Sequence, residues 1–234
     1  MNNLIQANNT VMTDLFHVAL LLNHEGALCS IEGDLNSSLS YFRRSLEAMM
    51  SSSTTAHEAA PAKPSSSPMG IYHLEMPGQR DKNYSNGDAF IYRRPLVFQD
   101  SYLPDNEDGR AAFCGTVVMN MAICFHVMSQ TVANKTRFSN KALQLYDSSI
   151  NLFTKISDRH NMSGVIAVAL NNKVSILFDR ADYELCRQER EQLRWFMAQA
   201  EQSPMTPSIL EKDDFQGILL NILLLKPPIL AEAA

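Results

Sequence analysis

Between Asn23 and Glu47 the chain reads NHEGALCSIEGDLNSSLSYFRRSLE, and this stretch constrains the fold more than any other. On its N-terminal side Leu15, Leu22 and Cys29 recur two helical turns apart, with Val11, Ala19 and Gly26 filling the same stripe. Gly33-Asp34 then ends the helix, because glycine accepts the left-handed conformation that a helix C-terminus favours. Asp34 or Asn36 can accept the free N–H groups that open a second helix. That helix carries Leu35, Leu39, Phe42 and Leu46 on one stripe and runs to about Met50. Gly26, Ser38 and Ser45 are small where the two helices meet, and Phe42 fills the space above them. This is the packing logic of an antiparallel helix pair.

Two later stretches repeat the pattern in weaker form. The first begins with a helix over about Asp108 to Met128, striped by Phe113, Val117, Met121, Cys124 and Met128. A connection over Ser129 to Asn140 leads to a helix with Ala142, Leu145, Tyr146, Ser149 and Phe153 on one side. The second stretch opens with Val165, Val168, Asn172 and Ile176, and Ala181-Asp182-Tyr183 stands where Gly33-Asp34-Leu35 stood. Its second helix carries Cys186, Leu193, Trp195 and Phe196. The sequence thus predicts an all-α fold in a single domain over 1–234. Its core is an irregular stack of three antiparallel helix pairs, over about 11–50, 108–156 and 164–202.

The intervening stretches differ in composition. Ser51 to Pro68 lacks aromatic and β-branched apolar residues and cannot offset the entropy of ordering. Residues 51–88 therefore read as a disordered insert, in which Ser67-Pro68 suits a proline-directed kinase. AFIYRRPLVF, Ala89 to Phe98, is aromatic and β-branched with an internal proline, and reads as an extended segment or edge strand. The tail FQGILLNILLL, 215–225, is too short to span a bilayer as a helix and reads as a buried strand. The two apolar segments, 89–98 and 215–225, are expected to pair as a small two-stranded β element.

A net charge of −5 argues against a nucleic-acid partner, and no run of Lys and Arg exceeds two residues. The four cysteines, Cys29, Cys114, Cys124 and Cys186, form no CxxC pair and read as buried thiols in a reducing compartment. The N-terminus has no basic region or cleavage site of a signal peptide, and Val11 to Leu22 carries Asp14 and His17, so no membrane span is expected. The protein is expected to be intracellular, cytoplasmic or nuclear. His17 and His24 lie seven apart, too far for a metal pair on one helix, and Cys124 and His126 point to different faces. No phosphate loop, nucleophile elbow or zinc-protease motif occurs. No cofactor or metal is expected, and no catalytic residue is assigned.

The small–aromatic–small spacing resembles the tetratricopeptide repeat, a helix-turn-helix unit of about 34 residues. In the first copy the matching residues are Gly26, the turn Gly33-Asp34, and Ser38, Phe42 and Ser45. In the second they are Asn120 and Ala122, then Ala142, Tyr146 and Ser149. In the third they are Asn172, the turn Asp182-Tyr183 and Cys186, while Arg190 and Leu193 replace the aromatic and the small residue. The family's terminal proline is absent from all three.

The resemblance implies an interaction scaffold that binds a peptide or helix of another protein along a concave face lined by the first helix of each pair. On that reading Asn23, Asn120, Asn171 and Asn172 are the candidate partner-binding residues, since an Asn amide both donates to and accepts from a peptide. The alternative is an all-α enzyme or small-ligand domain with a closed pocket near Cys124, His126 and Tyr146 holding a perturbed ionisable group.

Overall fold

The computed structural model describes residues 2–53, 70–74, 89–99, 106–131, 135–158, 160–203 and 209–226. The described residues are 78% helical, with helices packed as pairs and one small antiparallel sheet among them. The helices are α1 (Asn2–Glu32), α2 (Leu35–Ser53), α3 (Glu107–Thr131), α4 (Lys135–Thr154), α5 (Ser163–Asp179), α6 (Tyr183–Ala200) and α7 (Lys212–Leu224). Helices α1 and α2, α3 and α4, and α5 and α6 form the three pairs, with α2 against α3, α4 against α5, and α7 against α5 and α6.

The pairs close as the small residues dictate. Ser38 Oγ donates to the Gly26 carbonyl at 2.8 Å and Ser45 Oγ to the Ala19 carbonyl at 2.7 Å. In the second pair Ser149 Oγ donates to the Gly115 carbonyl at 2.9 Å, and in the third Cys186 Sγ lies 3.8 Å from the Val174 carbonyl. Matching bonds place Gly26, Ala122 and Val174 at one equivalent position of the three first helices. A Cβ on Gly26 would lie 2.6 Å from the Phe42 ring, and one on Gly115 2.8 Å from Phe153, so hydrogen at these positions is what admits the rings. The two turns match as well: Gly33 has φ 87 and Ala181 φ 57. Asp34 caps α2 by accepting the Ser37 N–H at 3.1 Å.

The first helices α3 and α5 are apolar all round because both sides of each are covered. Every residue of α5 from Ser163 to Leu177 is buried. The stretch Glu107–Gln130 is long and apolar enough to cross a membrane, yet 72% of its most apolar window is buried against the rest of the protein, as in a core helix. Second helices α2, α4 and α6 keep a solvated face.

Several boundaries differ from the sequence expectation. The tail is helix α7, and Ala89 to Phe98 does not pair with 215–225. Its strand β2 (Leu96–Phe98) pairs instead with β1 (Ile71–His73), which lies inside the stretch expected to be a disordered insert. Ile71 faces Phe98 and His73 faces Leu96. Residues 51–53 of that same stretch continue α2, whereas Ser67 lies outside the described residues. The long connection expected over 129–140 is only residues 132–134, because α3 and α4 extend toward each other. Short apolar runs read alike as strand or helix. Here a capping box decided for helix: the Glu211 N–H donates to the Asp214 carboxylate at 2.9 Å.

Candidate functional site

The first helices line a groove, and the groove is filled by the chain's own extended segment, residues 89–98. Three asparagines hold it by its main chain. Asn221 on α7 accepts the Phe90 N–H at 2.9 Å and donates to the Phe90 carbonyl at 2.6 Å. Asn172 on α5 accepts the Tyr92 N–H at 2.9 Å and donates to the Tyr92 carbonyl at 2.8 Å. Asn120 on α3 accepts the Leu96 N–H at 2.8 Å and donates to the Leu96 carbonyl at 2.7 Å. Each side-chain amide thus exchanges the same two bonds that a facing residue exchanges in an antiparallel sheet. The segment runs from α7 through α5 to α3, opposite to the order of the helices in the chain.

A second class of asparagine supports the first. Asn23 and Asn171 sit one residue before the clamp position, three before Gly26 and Val174 respectively. Asn23 Oδ1 accepts from Asn120 Nδ2 at 3.1 Å, and its own Nδ2 reaches the Leu96 carbonyl at 3.3 Å. Asn171 Oδ1 accepts from Asn221 Nδ2 at 2.7 Å, and its Nδ2 donates to the Phe90 carbonyl at 3.2 Å. All five amides are buried, at 0% or 1% exposure. A buried amide without a partner costs a few kcal/mol, so full pairing is what makes so polar a groove tolerable. The four asparagines singled out in the sequence therefore converge on one main chain. Asn221 completes them, and its signal was available: an Asn inside an otherwise apolar run is costly unless something bonds it.

The side chains of the segment fill the space between the helices. Phe90, Ile91, Tyr92, Leu96 and Val97 are at most 2% exposed. Phe98 stacks on Phe113 of α3 at 5.2 Å between ring centroids. The Tyr92 hydroxyl donates to the Ile209 carbonyl at 3.1 Å, and burial holds its phenol above the usual range. Arg94 lies 5.5 Å over the Tyr92 ring, bonds Asp214 and reaches Glu211 at 2.8 Å. Burial pushes the Glu211 carboxyl up, but Arg94 and His73 together hold it below the usual value.

Cys124, His126 and Tyr146 stand behind the clamp. Asn172 Nδ2 donates to the Tyr146 hydroxyl at 2.9 Å, and that hydroxyl meets His126 Nδ1 at 3.4 Å. His126 is 2% exposed, and burial, aided by the Arg93 charge, lowers its pKa to about 3. Cys124 lies 3.3 Å from Ser38 Oγ, and burial raises its thiol pKa. The perturbed group is thus a neutral histidine orienting a clamp. A cleft of about 780 Å³ opens elsewhere, between α2 and α4, lined by Arg43, Phe125, Arg137, Phe138 and Lys141. Among the described residues no group of three or more His, Cys, Asp or Glu converges as a metal site would.

The remaining signature residues have structural places. Ser38, Phe42, Ser45, Ala122, Ala142, Tyr146, Ser149 and Cys186 are buried in the pair interfaces. Asp182 precedes α6 without a side-chain capping bond, and Tyr183 meets Phe178 edge-on at 6.1 Å. No family model matches the chain, and no curated protein or solved structure is detectably similar to it.

Proposed function

We propose that the protein is a non-enzymatic interaction module of tetratricopeptide-repeat type, whose groove binds an extended peptide of another protein by its main chain. One observation supports this reading: Asn120, Asn172 and Asn221 each hold an N–H and a carbonyl of the same residue. Such clamps take any extended segment whose amides are free at those positions, while the pockets around Phe90, Tyr92 and Leu96 select apolar and aromatic side chains. In the single chain the occupant is the chain's own 89–98, so a partner's segment competes with it. The affinity of an outside peptide is lowered by the fraction of molecules in which the groove is already filled.

A labelled peptide of sequence 88–99 tests this on the full chain. It is expected to bind a Leu96→Pro variant, whose own segment lacks one clamped N–H, more tightly than it binds the unaltered protein. Adding Asn120→Ala and Asn172→Ala should abolish that binding. Equal binding with and without those asparagines, or none to either chain, would show that the groove serves only its own segment.

A further inference from the structure

The asparagine clamps read main chain alone, so selection among extended segments falls to the side chains the groove meets. The clamps already set a register. They take the N–H of residues 90, 92 and 96, which bars proline from those three places. Pro95 gives its carbonyl to the Leu74 N–H at 3.1 Å and needs no N–H of its own. Between the clamps on Tyr92 and Leu96, Arg94 reaches the start of α7. Its Nη1 lies 2.8 Å from Glu211 Oε1, its Nη2 pairs with Asp214 Oδ2, and the guanidinium stands 5.5 Å over the Tyr92 ring. Glu211 Oε1 also meets His73 Nε2 of β1 at 3.1 Å. The capping box holds both carboxylates, because Asp214 accepts the Glu211 N–H and the Glu211 side chain accepts from the first turn.

This pocket discriminates where the clamps do not. Asp214 is 2% exposed, and among the described residues Arg94 is the cation paired with it. An occupant with an apolar or acidic residue at that place would leave a buried carboxylate unpaired beside a second one, Glu211, which is a penalty against the wrong segment. Lysine fits less well, since its ammonium is a strongly hydrated point charge without the flat face that lies over the Tyr92 ring. Arg93 carries the same charge as Arg94 but bonds Gln130 at the exposed rim, at 2.7 Å. We propose that the groove selects an arginine placed two residues after an aromatic and two before an apolar residue, as Arg94 stands between Tyr92 and Leu96, with Glu211 and Asp214 as the residues that read it. The proposal rests on the reading of the groove as a peptide site, and it adds a side-chain requirement to the main-chain clamps.

Labelled peptides of sequence 88–99 on the full chain test this as a ratio of dissociation constants. The ratio of two peptides on one chain does not depend on how much of the groove that chain's own segment fills, so the unaltered protein serves if the Leu96→Pro chain does not fold. Arg94→Gln in the peptide should weaken binding at least about thirtyfold, and Arg94→Lys about tenfold. Arg93→Gln removes the same charge from the neighbouring residue and should cost no more than about fivefold. On a chain carrying Glu211→Gln and Asp214→Asn, which keep the capping acceptors, the unaltered and Arg94→Gln peptides should bind within about threefold of each other. If that chain does not fold, Glu211→Gln alone should narrow the same gap. An Arg94→Gln peptide that binds as tightly as the unaltered one overturns arginine selection and leaves the groove a peptide site. So does an Arg93→Gln peptide that loses as much as Arg94→Gln. Absence of binding by every peptide to either chain overturns the selection together with the reading beneath it.

Discussion

At the scale of single residues, the asparagines separate into those that hold the segment and those that support the holders. Removing the Asn172 side chain strands the Tyr92 N–H and carbonyl and takes a donor from the Tyr146 hydroxyl, all buried. Each stranded group costs about 1–3 kcal/mol, so Asn172→Ala should destabilise by roughly 3–5 kcal/mol in urea denaturation. Asn23→Ala should cost distinctly less, because its bond to the Leu96 carbonyl is long, at 3.3 Å, and Asn120 bonds the same oxygen at 2.7 Å. His126 contributes a pH dependence of its own. Its folded pKa of about 3 lies below the ordinary 6.5, so the unfolded chain binds the extra proton between those values. Stability is therefore full above pH 6.5 and falls as the pH drops toward 3. The loss is about 2 kcal/mol at pH 5 on the ordinary linkage of 1.36 kcal/mol per unit. A His126→Phe variant should lose that part of the pH slope.

At the scale of elements, turns and interfaces follow separate rules. Gly33 and Ala181 both sit in the left-handed region at the turn of a pair, at φ 87 and 57. Glycine does so without penalty and alanine does not, so Ala181→Gly should stabilise by about 0.5–1 kcal/mol, read as a raised urea midpoint. Gly26→Leu works in the opposite sense: even its Cβ would enter the Phe42 ring, which is fully buried. The cost should be at least about 1–3 kcal/mol, as for overpacking in general, and the melting temperature should fall. The helix pairs were legible in the sequence because these contacts are local: Ser38 reaches Gly26 only twelve residues back. The strand partner of 96–98 was not legible. It is a three-residue strand, 71–73, in a polar stretch, and nothing in its own composition outweighs the entropy of ordering it. Tertiary contact supplies the difference, since Ile71 is buried in the core.

At the scale of the molecule, the segment 89–98 is the spine on which α3, α5 and α7 are aligned. Its side chains are core, and Gly217 of α7 lets the helix close on Phe90, a Cβ there falling 2.4 Å from the ring. A chain truncated before Glu211 loses that cover together with the Asn221 clamp and the Arg94 partners Glu211 and Asp214. Such a chain should be recovered as insoluble aggregate, or as a species binding a hydrophobic dye, and not as a cooperative monomer. The sequence by itself determined the helix pairs, the Gly33-Asp34 turn and the choice of asparagine as the groove's polar residue, because helical periodicity and small-residue spacing act within some thirty residues. Only the tertiary structure decided which peptide the asparagines hold, that α7 joins the stack, and that Tyr146 and His126 stand in a hydrogen-bonded line behind Asn172. The first two of those outcomes rest above all on bonds between residues 80 to 131 positions apart, such as Asn172 to Tyr92 and Asn221 to Phe90. At that separation the spacing of residues along the chain carries no information, and complementarity of buried donors and acceptors selects the partner.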